Sequence, residues 1–509
     1  MKRLLNILFS RRVITAVLIL LQAIELLVAI FVFSHYFTYF YVFSIVLSIV
    51  MILYLINKET SPSLKIPWLI MMTLVPIFGG FLYLLFGQNN LSKKFKKENE
   101  LLLALSEDAT ENDQIVYDTL KQHYPKYAGQ VNYLRKYAYA SVYDHSKTTY
   151  LEIGEKMFES LCEELEKAER FIFIESFIVA KGVMLERILE ILKRKVKEGV
   201  DVRFLYDDIG CLTTMPSDYY LQLRKMGIKA YPFNQFRPIL SIIHNNRDHR
   251  KITVIDGRVA FNGGINIADE YINKKIRFGH WKDSAVKIEG KAVNGFTQMF
   301  LQAWNYYAHE DLDFSIFNYN GEDFEENGYI QCYQDSPLDK ELTGENVYLN
   351  IINQASRYVY ITTPYLIIDH ELMVALCNCA KRGVDIRLIT PHIPDKWYVH
   401  LISQSNYRTL INAGVKIYEY TPGFIHAKTF VSDDEVATVG TINLDYRSLV
   451  HHYECGTYMV KTSAVNEIKE DFLKTQERSM SVPVDYFEKH NALFYKMLAV
   501  VLKLFAPLM

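Results

Sequence analysis

Apolar residues fill most of the first ninety positions in long runs, and beyond them recur in short bursts with strand and helix periods. Residues 13–33 carry no charge except Glu25, and residues 37–56 carry none. At about 1.5 Å per residue, either run is long enough as a helix for a hydrocarbon core of roughly 30 Å. The link Ser34–His35–Tyr36 makes them an expected transmembrane hairpin. A cleavable signal peptide does not fit, because a second run follows the first and no small-residue cleavage site divides them. A third run, 66–86, is interrupted by Pro76 and by Gly79–Gly80. Three full crossings would put Lys93, Lys94, Lys96 and Lys97 on the opposite side from Lys2, Arg3, Arg11 and Arg12, against the tendency of positive flanks to stay in the cytoplasm. Residues 1–90 are therefore read as a multi-pass anchor in the cell membrane whose third segment re-enters, with the rest of the chain in the cytoplasm. Glu25, beside Gln22, marks either a functional group in the membrane or a neutral helix contact.

Residues 91–150 are charged and helix-prone, a helical connector. Then a pattern appears twice. Residues 170–175 read as a buried strand, 184–198 as a helix and 200–206 as a strand; 357–361, 371–382 and 384–389 repeat the order, with the same Gly-Val-Asp turn at Gly199 and Gly383. The prediction is an α/β fold: two tandem α/β/α sandwich repeats, 151–330 and 331–509, forming one active site and preceded by N-terminal transmembrane helices. The C-terminal stretch 491–509, apolar but for Lys496 and Lys503, is expected to be a helix that either lies on lipid or packs on the second repeat.

Charge sharpens this division. Residues 1–100 hold ten Lys/Arg against four Glu, or +6, while the whole chain is −2, so residues 101–509 carry −8. An acidic catalytic portion argues against nucleic acid as partner. The six cysteines form no CxxC pair and no zinc-spaced cluster, which suits reduced thiols in a cytosol.

The chemistry lies in a duplicated motif. His249, Lys251, Asp256, Gly263 and Asn266 recur with identical spacing as His426, Lys428, Asp433, Gly440 and Asn443, offset by 177 residues. A random chain of this length would match the pattern once with odds on the order of 10⁻⁴, so two copies are not coincidence. Two histidines, two lysines and two asparagines suit one phosphodiester site: a nucleophile, an acid and donors for the phosphate oxygens. One imidazole attacks phosphorus and the other protonates the leaving alkoxide. Lys251, Lys428, Asn266 and Asn443 supply the charge compensation that a metal gives elsewhere, so neither metal nor other cofactor is expected. His249 and Lys251, two apart on a strand, share a face. Asp256 falls in the Asp256–Gly257 turn, a place better suited to support than to chemistry. Each reactive histidine needs an acceptor on its other nitrogen, and Asp283 and Glu454, each in a strand-like stretch soon after a motif, are the candidates. His244, His280, His451 and His452 are read as packing or surface residues, and Arg247 as either a headgroup ligand or a surface arginine.

These paired motifs resemble the phospholipase D superfamily. Three segments are similar, within it, to the bacterial cardiolipin synthase family: Pro67–Trp68 through Pro76 to Gly87, Asn246 to Lys251, and Gly423 to Lys428 continuing through Asn443, Asp445, Arg447 and Ser448. The resemblance covers nearly the whole chain. It implies phospholipase D-like repeats that move a phosphatidyl group from one phosphatidylglycerol to another, releasing glycerol and making cardiolipin through a phosphohistidine, with His249 favoured as nucleophile. It also counts Asp256 and Asp433 in the catalytic set. The chain departs from the family in having three hydrophobic runs and in placing Thr441 where the first motif has Gly264; only the topology is expected to be affected. Alternatives are a membrane-anchored phospholipase D using water, a transferase with another acceptor, and a lipid-binding scaffold without activity.

Overall fold

The computed structural model describes residues 37–87, 113–235, 246–310, 313–338, 341–490 and 492–508, with Leu20, Ile24, Leu27 and Val28 besides. Among the described residues the chain forms two units, one holding 37–87, the other 113–235 with 246–507.

In the first unit three helices are described: α1 (Phe37–Asn57), α2 (Pro62–Leu74) and α3 (Pro76–Phe86). Among the described residues no helix is long and apolar enough to cross a membrane. The expected span 13–33, with Gln22 and Glu25, lies outside the described residues apart from four exposed or helical positions. The third apolar run does break, but at Val75–Pro76 and not at the glycines. Proline starts α3 without a hydrogen-bonding N–H, and the chain folds back so that Trp68 and Tyr83 meet edge to face at 5.5 Å. Gly79 and Gly80 lie inside α3 because a Cβ there would come within 2.5 Å of the Met71 carbonyl and 2.6 Å of the Met51 sulfur. They are contact points between helices. Around Met72 and Tyr83 the three helices share a small core, while Val42, Phe43, Val46, Ile49, Val50 and Leu53 on α1 are exposed.

The second unit contains the duplicated α/β architecture. Its first sheet runs β1-β8-β6-β5-β2-β3-β4, from β1 (Lys147–Leu151), β2 (Phe171–Ser176), β3 (Asp201–Asp207), β4 (Lys229–Phe233), β5 (Ile252–Ile255), β6 (Val259–Gly263) and β8 (Ala285–Glu289). The second runs β17-β12-β11-β10-β14-β15-β16-β9, from β9 (Tyr329–Asp335), β10 (Tyr358–Thr362), β11 (Asp385–Pro391), β12 (Lys416–Tyr420), β14 (Thr429–Ser432), β15 (Val436–Gly440), β16 (Glu454–Val460) and β17 (Ser479–Ser481). β2-β3-β4 and β10-β11-β12 are parallel, as strand-helix-strand units require, and the motif hairpins β5-β6 and β14-β15 join antiparallel. Strand alternation builds the layers. Phe171 and Phe173 of β2 join Tyr358 and Tyr360 of β10 in one core shared by both sheets, whereas Ile172 and Ile174 face the first repeat's own helices and Val359 and Ile361 the second's. Two further helices, α9 (Val293–Ala308) and α13 (Ser463–Glu477), enter the shared core through Phe300, Trp304, Ile468 and Phe472.

Two boundaries move. The expected connector supplies α4 (Gln114–His123) and α5 (Pro125–Tyr137), which bury Leu120, Val131 and Leu134 in the second repeat's core, while β1 edges the first sheet. β9 already belongs to the second sheet from Tyr329. The C-terminal helix, α15 (Leu493–Phe505), packs on the second repeat with one side and leaves apolar residues exposed on another. Lys503 Nζ donates to Asn406 Oδ1 at 2.6 Å on α12 (Trp397–Asn412), and Leu493, Phe494, Met497 and Val500 remain exposed. Between these lie α6 (Gly154–Glu166), α7 (Val183–Lys197), α8 (Tyr219–Lys225), α10 (Thr343–Gln354), α11 (His370–Lys381) and α14 (Tyr486–His490).

Asp256 and Asp433 are the anchors of this scaffold. Both occupy left-handed turn positions, φ 56° and 59°. The Asp256 carboxylate accepts the N–H groups of Glu169, Arg170 and Phe171 at 2.8–2.9 Å and so pins the start of β2. Asp433 does the same for β10 through Ser356, Arg357 and Tyr358 at 2.8–3.0 Å. Burial pushes the Asp433 carboxyl up, but those N–H groups outweigh it and hold it well below the usual range. Five residue steps, roughly 16 Å of strand, separate each aspartate from its motif lysine, so their expected place in the catalytic set is corrected to a structural one. Asp433→Ala should cost about 2 kcal/mol or more by orphaning these donors, seen as a lower melting temperature, with the folded fraction turning over normally. Loss of turnover at unchanged stability would restore Asp433 to the chemistry.

Candidate active site

The residues just before β5 and β14 carry the motif pairs, and each is laced to the opposite repeat. His249 N donates to Tyr453 O at 2.9 Å, and His426 N to Lys282 O at 2.7 Å, the latter where β13 (Gly423–Ile425) pairs in parallel with β7 (His280–Lys282). The next residue on each opposing segment is a buried carboxylate. His249 Nδ1 lies 2.9 Å from Glu454 Oε1, and His426 Nδ1 lies 2.7 Å from Asp283 Oδ2. The two candidate acceptors are both used, crosswise: each histidine is oriented by the repeat that does not contain it. With Nδ1–H donating to the carboxylate, each Nε2 presents a lone pair.

The surroundings separate the two histidines. Burial, then Lys251 and His452, drive His249 well below the usual imidazole range. Burial and Lys428 bring His426 to about 4, with Asp283 opposing them. Their carboxylates diverge too. Burial raises Glu454 to about 8, whereas the charges of His426 and Lys428 overcome burial and hold Asp283 below its ordinary value. Thr441 and Gly264, at equivalent motif positions, meet the two carboxylates differently. The Thr441 hydroxyl donates to Glu454 Oε2, while a Cβ at Gly264 would stand 2.2 Å from Asp283 Oδ1. The Thr441 departure thus touches the carboxylate that orients His249.

Lys428 Nζ stands 2.8 and 3.0 Å from the two His426 ring nitrogens, and Lys251 Nζ lies 5.4 Å from the Phe177 ring centre. Both bond back to their own histidine carbonyls. Burial lowers Lys251 to about 8 and Lys428 to about 7. The asparagines are not equivalent. Asn266 accepts from Ile178 N at 2.9 Å and donates to Tyr271 OH at 2.6 Å; Asn443 is buried with no partner for its Oδ1.

Other expectations change. Arg247 is neither headgroup ligand nor surface residue, since its guanidinium binds buried Asp207 at 2.8 and 3.0 Å and the Asn234 carbonyl at 3.1 Å. His280 bonds Tyr420 OH and His451 bonds Pro507 O; His244 lies outside the described residues. His452, read as packing or surface, is buried with its ring 5.6 Å from that of His249. Its only sequence signal was its place two residues before Glu454. Among the described residues, His249, His452 and Glu454 are the one group with the donor set and spacing for a metal ion. All six cysteines are free thiols.

A duplicated α/β sandwich with facing histidine–lysine pairs, each histidine on a carboxylate from the other half, defines a phospholipase D-like protein. The chain belongs to the cardiolipin synthase, phospholipase D-like domain family, whose model matches residues 161–304 and 348–475. A phospholipase D-nuclease N-terminal model matches residues 46–88, the region of α1 to α3. The chain is 45% identical over 464 residues to an uncharacterized protein of Streptococcus mutans, covering 90% of this chain and 99% of that one. It is 33% identical to cardiolipin synthase 2 of Bacillus anthracis over 460 residues, 90% of this chain and 89% of the relative. Among solved structures, a phosphatidylserine synthase of Haemophilus influenzae Rd KW20 shares the fold at TM-score 0.53 and 15% identity, over 72% of this chain and 95% of that one.

Proposed function

We propose that the protein is a cardiolipin synthase, transferring a phosphatidyl group from one phosphatidylglycerol to the glycerol hydroxyl of another. The crosswise orientation of the two buried motif histidines carries this reading, because it ties each Nδ1 to a carboxylate and turns each Nε2 away from it, His426 Nε2 onto Lys428 Nζ at 3.0 Å. His249 Nε2 attacks phosphorus while His426 protonates the departing glycerol. His426, now neutral, then takes the proton of the second phosphatidylglycerol's hydroxyl, which attacks the phosphohistidine and frees His249. The Glu454 carboxylate accepts the Nδ1–H of a neutral His249, which leaves the Nε2 lone pair to attack. Asp283, held ionised, favours an imidazolium at His426 once an anionic phosphate draws Lys428 away from that ring. Cardiolipin synthase relatives at about one-third identity support the substrate class. The experiment is direct: purified protein with phosphatidylglycerol alone, reading cardiolipin, glycerol and phosphatidic acid.

Lys251, Lys428 and the Asn443 amide hold the non-bridging oxygens, and the lysines must be protonated to do so. Their free-enzyme values of about 8 and about 7 set the sign: kcat/KM falls as pH rises through that window. Bound phosphodiester raises both values, so the limb in kcat moves to higher pH. A kcat/KM that is flat or still rising across the window would remove the lysines from this role.

We further propose that the N-terminal helices anchor the enzyme in the cell membrane with the catalytic unit in the cytoplasm. The exposed apolar face of α1 and the positive flanks support this reading. Reporter fusions near residue 300 should report the cytoplasm; an external signal would reverse the orientation.

A further inference from the structure

His452 is a buried histidine whose two ring nitrogens have no hydrogen-bond partner. Leaving an imidazole in this state costs free energy, and nothing in the two-histidine chemistry uses it. Its Nδ1 lies 3.8 Å from Glu454 Oε1, the carboxylate that also holds His249 Nδ1 at 2.9 Å. One nitrogen from each imidazole and one Glu454 oxygen lie within 4.8 Å of one another, and all three residues are buried. Zinc bonds of about 2.0–2.1 Å in tetrahedral array place ligand atoms about 3.4 Å apart, so small side-chain rotations close the set. Two imidazoles and a carboxylate are also a known zinc ligand set with a fourth position left open.

The pseudo-equivalent place in the other half differs. Two residues before Asp283 stands Trp281, its ring 5.5 Å from His426, where His452 stands 5.6 Å from His249. An indole offers no lone pair to a metal. The chelating arrangement thus belongs to the His249 half alone.

We propose that His249, His452 and Glu454 form an inhibitory site for a borderline divalent cation of the zinc class. The metal takes the His249 Nδ1 lone pair in place of the hydrogen bond to Glu454. The proton that Nδ1 carried moves to Nε2, the atom that would otherwise attack phosphorus, and the nucleophile is lost until the metal leaves. Magnesium, a hard ion that prefers oxygen ligands, does not substitute. Inhibition rests on the histidine-transfer reading above; cation binding does not.

The test uses the full-length protein in detergent, stripped with chelator, then titrated with zinc or magnesium chloride. Bound metal is measured by equilibrium dialysis and turnover in parallel. Expected are about one zinc bound per chain, loss of turnover over the same range, recovery on chelation, and no effect of magnesium. His452→Asn and His452→Gln, with melting temperatures near wild type, should weaken both binding and inhibition by about 10–100-fold, with turnover in the absence of zinc retained. Zinc that activates, or binds and inhibits these variants as strongly as wild type, overturns the site. If the protein has no transfer activity at all, the dialysis result still decides the site, while the functional reading fails separately.

Discussion

His249→Ala and His426→Ala each lower turnover by about 10⁴-fold or more while the protein stays folded. Each imidazole is buried but makes its strong contact with a carboxylate that keeps other partners: Thr441 remains on Glu454, and Ser284 N remains on Asp283 at 2.8 Å. The two losses are nonetheless different in kind. Without His249 there is no atom to carry the phosphatidyl group, and every substrate fails. Without His426 the intermediate fails to form only because the alkoxide leaves without a proton. A phosphatidyl ester with an acidic leaving group such as p-nitrophenol needs no such proton, so His426→Ala should release a burst of nitrophenol and hold a phosphoenzyme mapped to His249. His249→Ala should show neither. Turnover within a few fold of wild type in either variant would remove the two-histidine site, and a phosphoenzyme mapped to His426 would exchange the roles.

The spacing identity made the pairs visible, because His249/Lys251 and His426/Lys428 are set by local strand geometry that the chain spells out twice. The α/β repeats were legible for the same reason: β2, α7 and β3 follow the hydrophobic period to within a residue or two, as do β10, α11 and β11. What sequence withheld is long-range. Asp283 and Glu454 were identifiable as acceptors, but their exchange between halves depends on two segments meeting across the shared core. Arg247 looked free because Asp207 is forty positions away in sequence. The glycines of the third apolar run looked like breaks because their close helix neighbours, Met51 and Met71, leave no mark in local pattern. His452 was dismissed as one more histidine; only the site shows it beside His249 with both nitrogens idle. The membrane anchor was the plainest message of the hydrophobic pattern, and it rests on that pattern still.

Transfer should exceed hydrolysis. A phosphohistidine is consumed by whatever hydroxyl reaches it, and bulk water at a loose site would give mainly phosphatidic acid. The site described here is buried: His249, His426, Lys251 and Lys428 are each at most 7% exposed. Low exposure limits water, and a second lipid delivered from a bilayer arrives at high effective concentration. The exposed apolar residues of α15, Leu493, Phe494, Met497 and Val500, are the face of the catalytic unit expected to meet that bilayer. In the proposed mechanism both half-reactions pass through one intermediate, so each step is reversible in kind: glycerol would be the first leaving group and also a competent acceptor. Added glycerol should therefore convert cardiolipin back to phosphatidylglycerol, with the ratio of the two lipids following the glycerol concentration. Blunting the α15 face with Phe494→Ser and Val500→Ser should shift the products toward phosphatidic acid without changing the His249 phosphoenzyme. If phosphatidic acid dominates at every lipid density and glycerol changes nothing, the acceptor is water, and the enzyme is a phospholipase D built on the same two histidines.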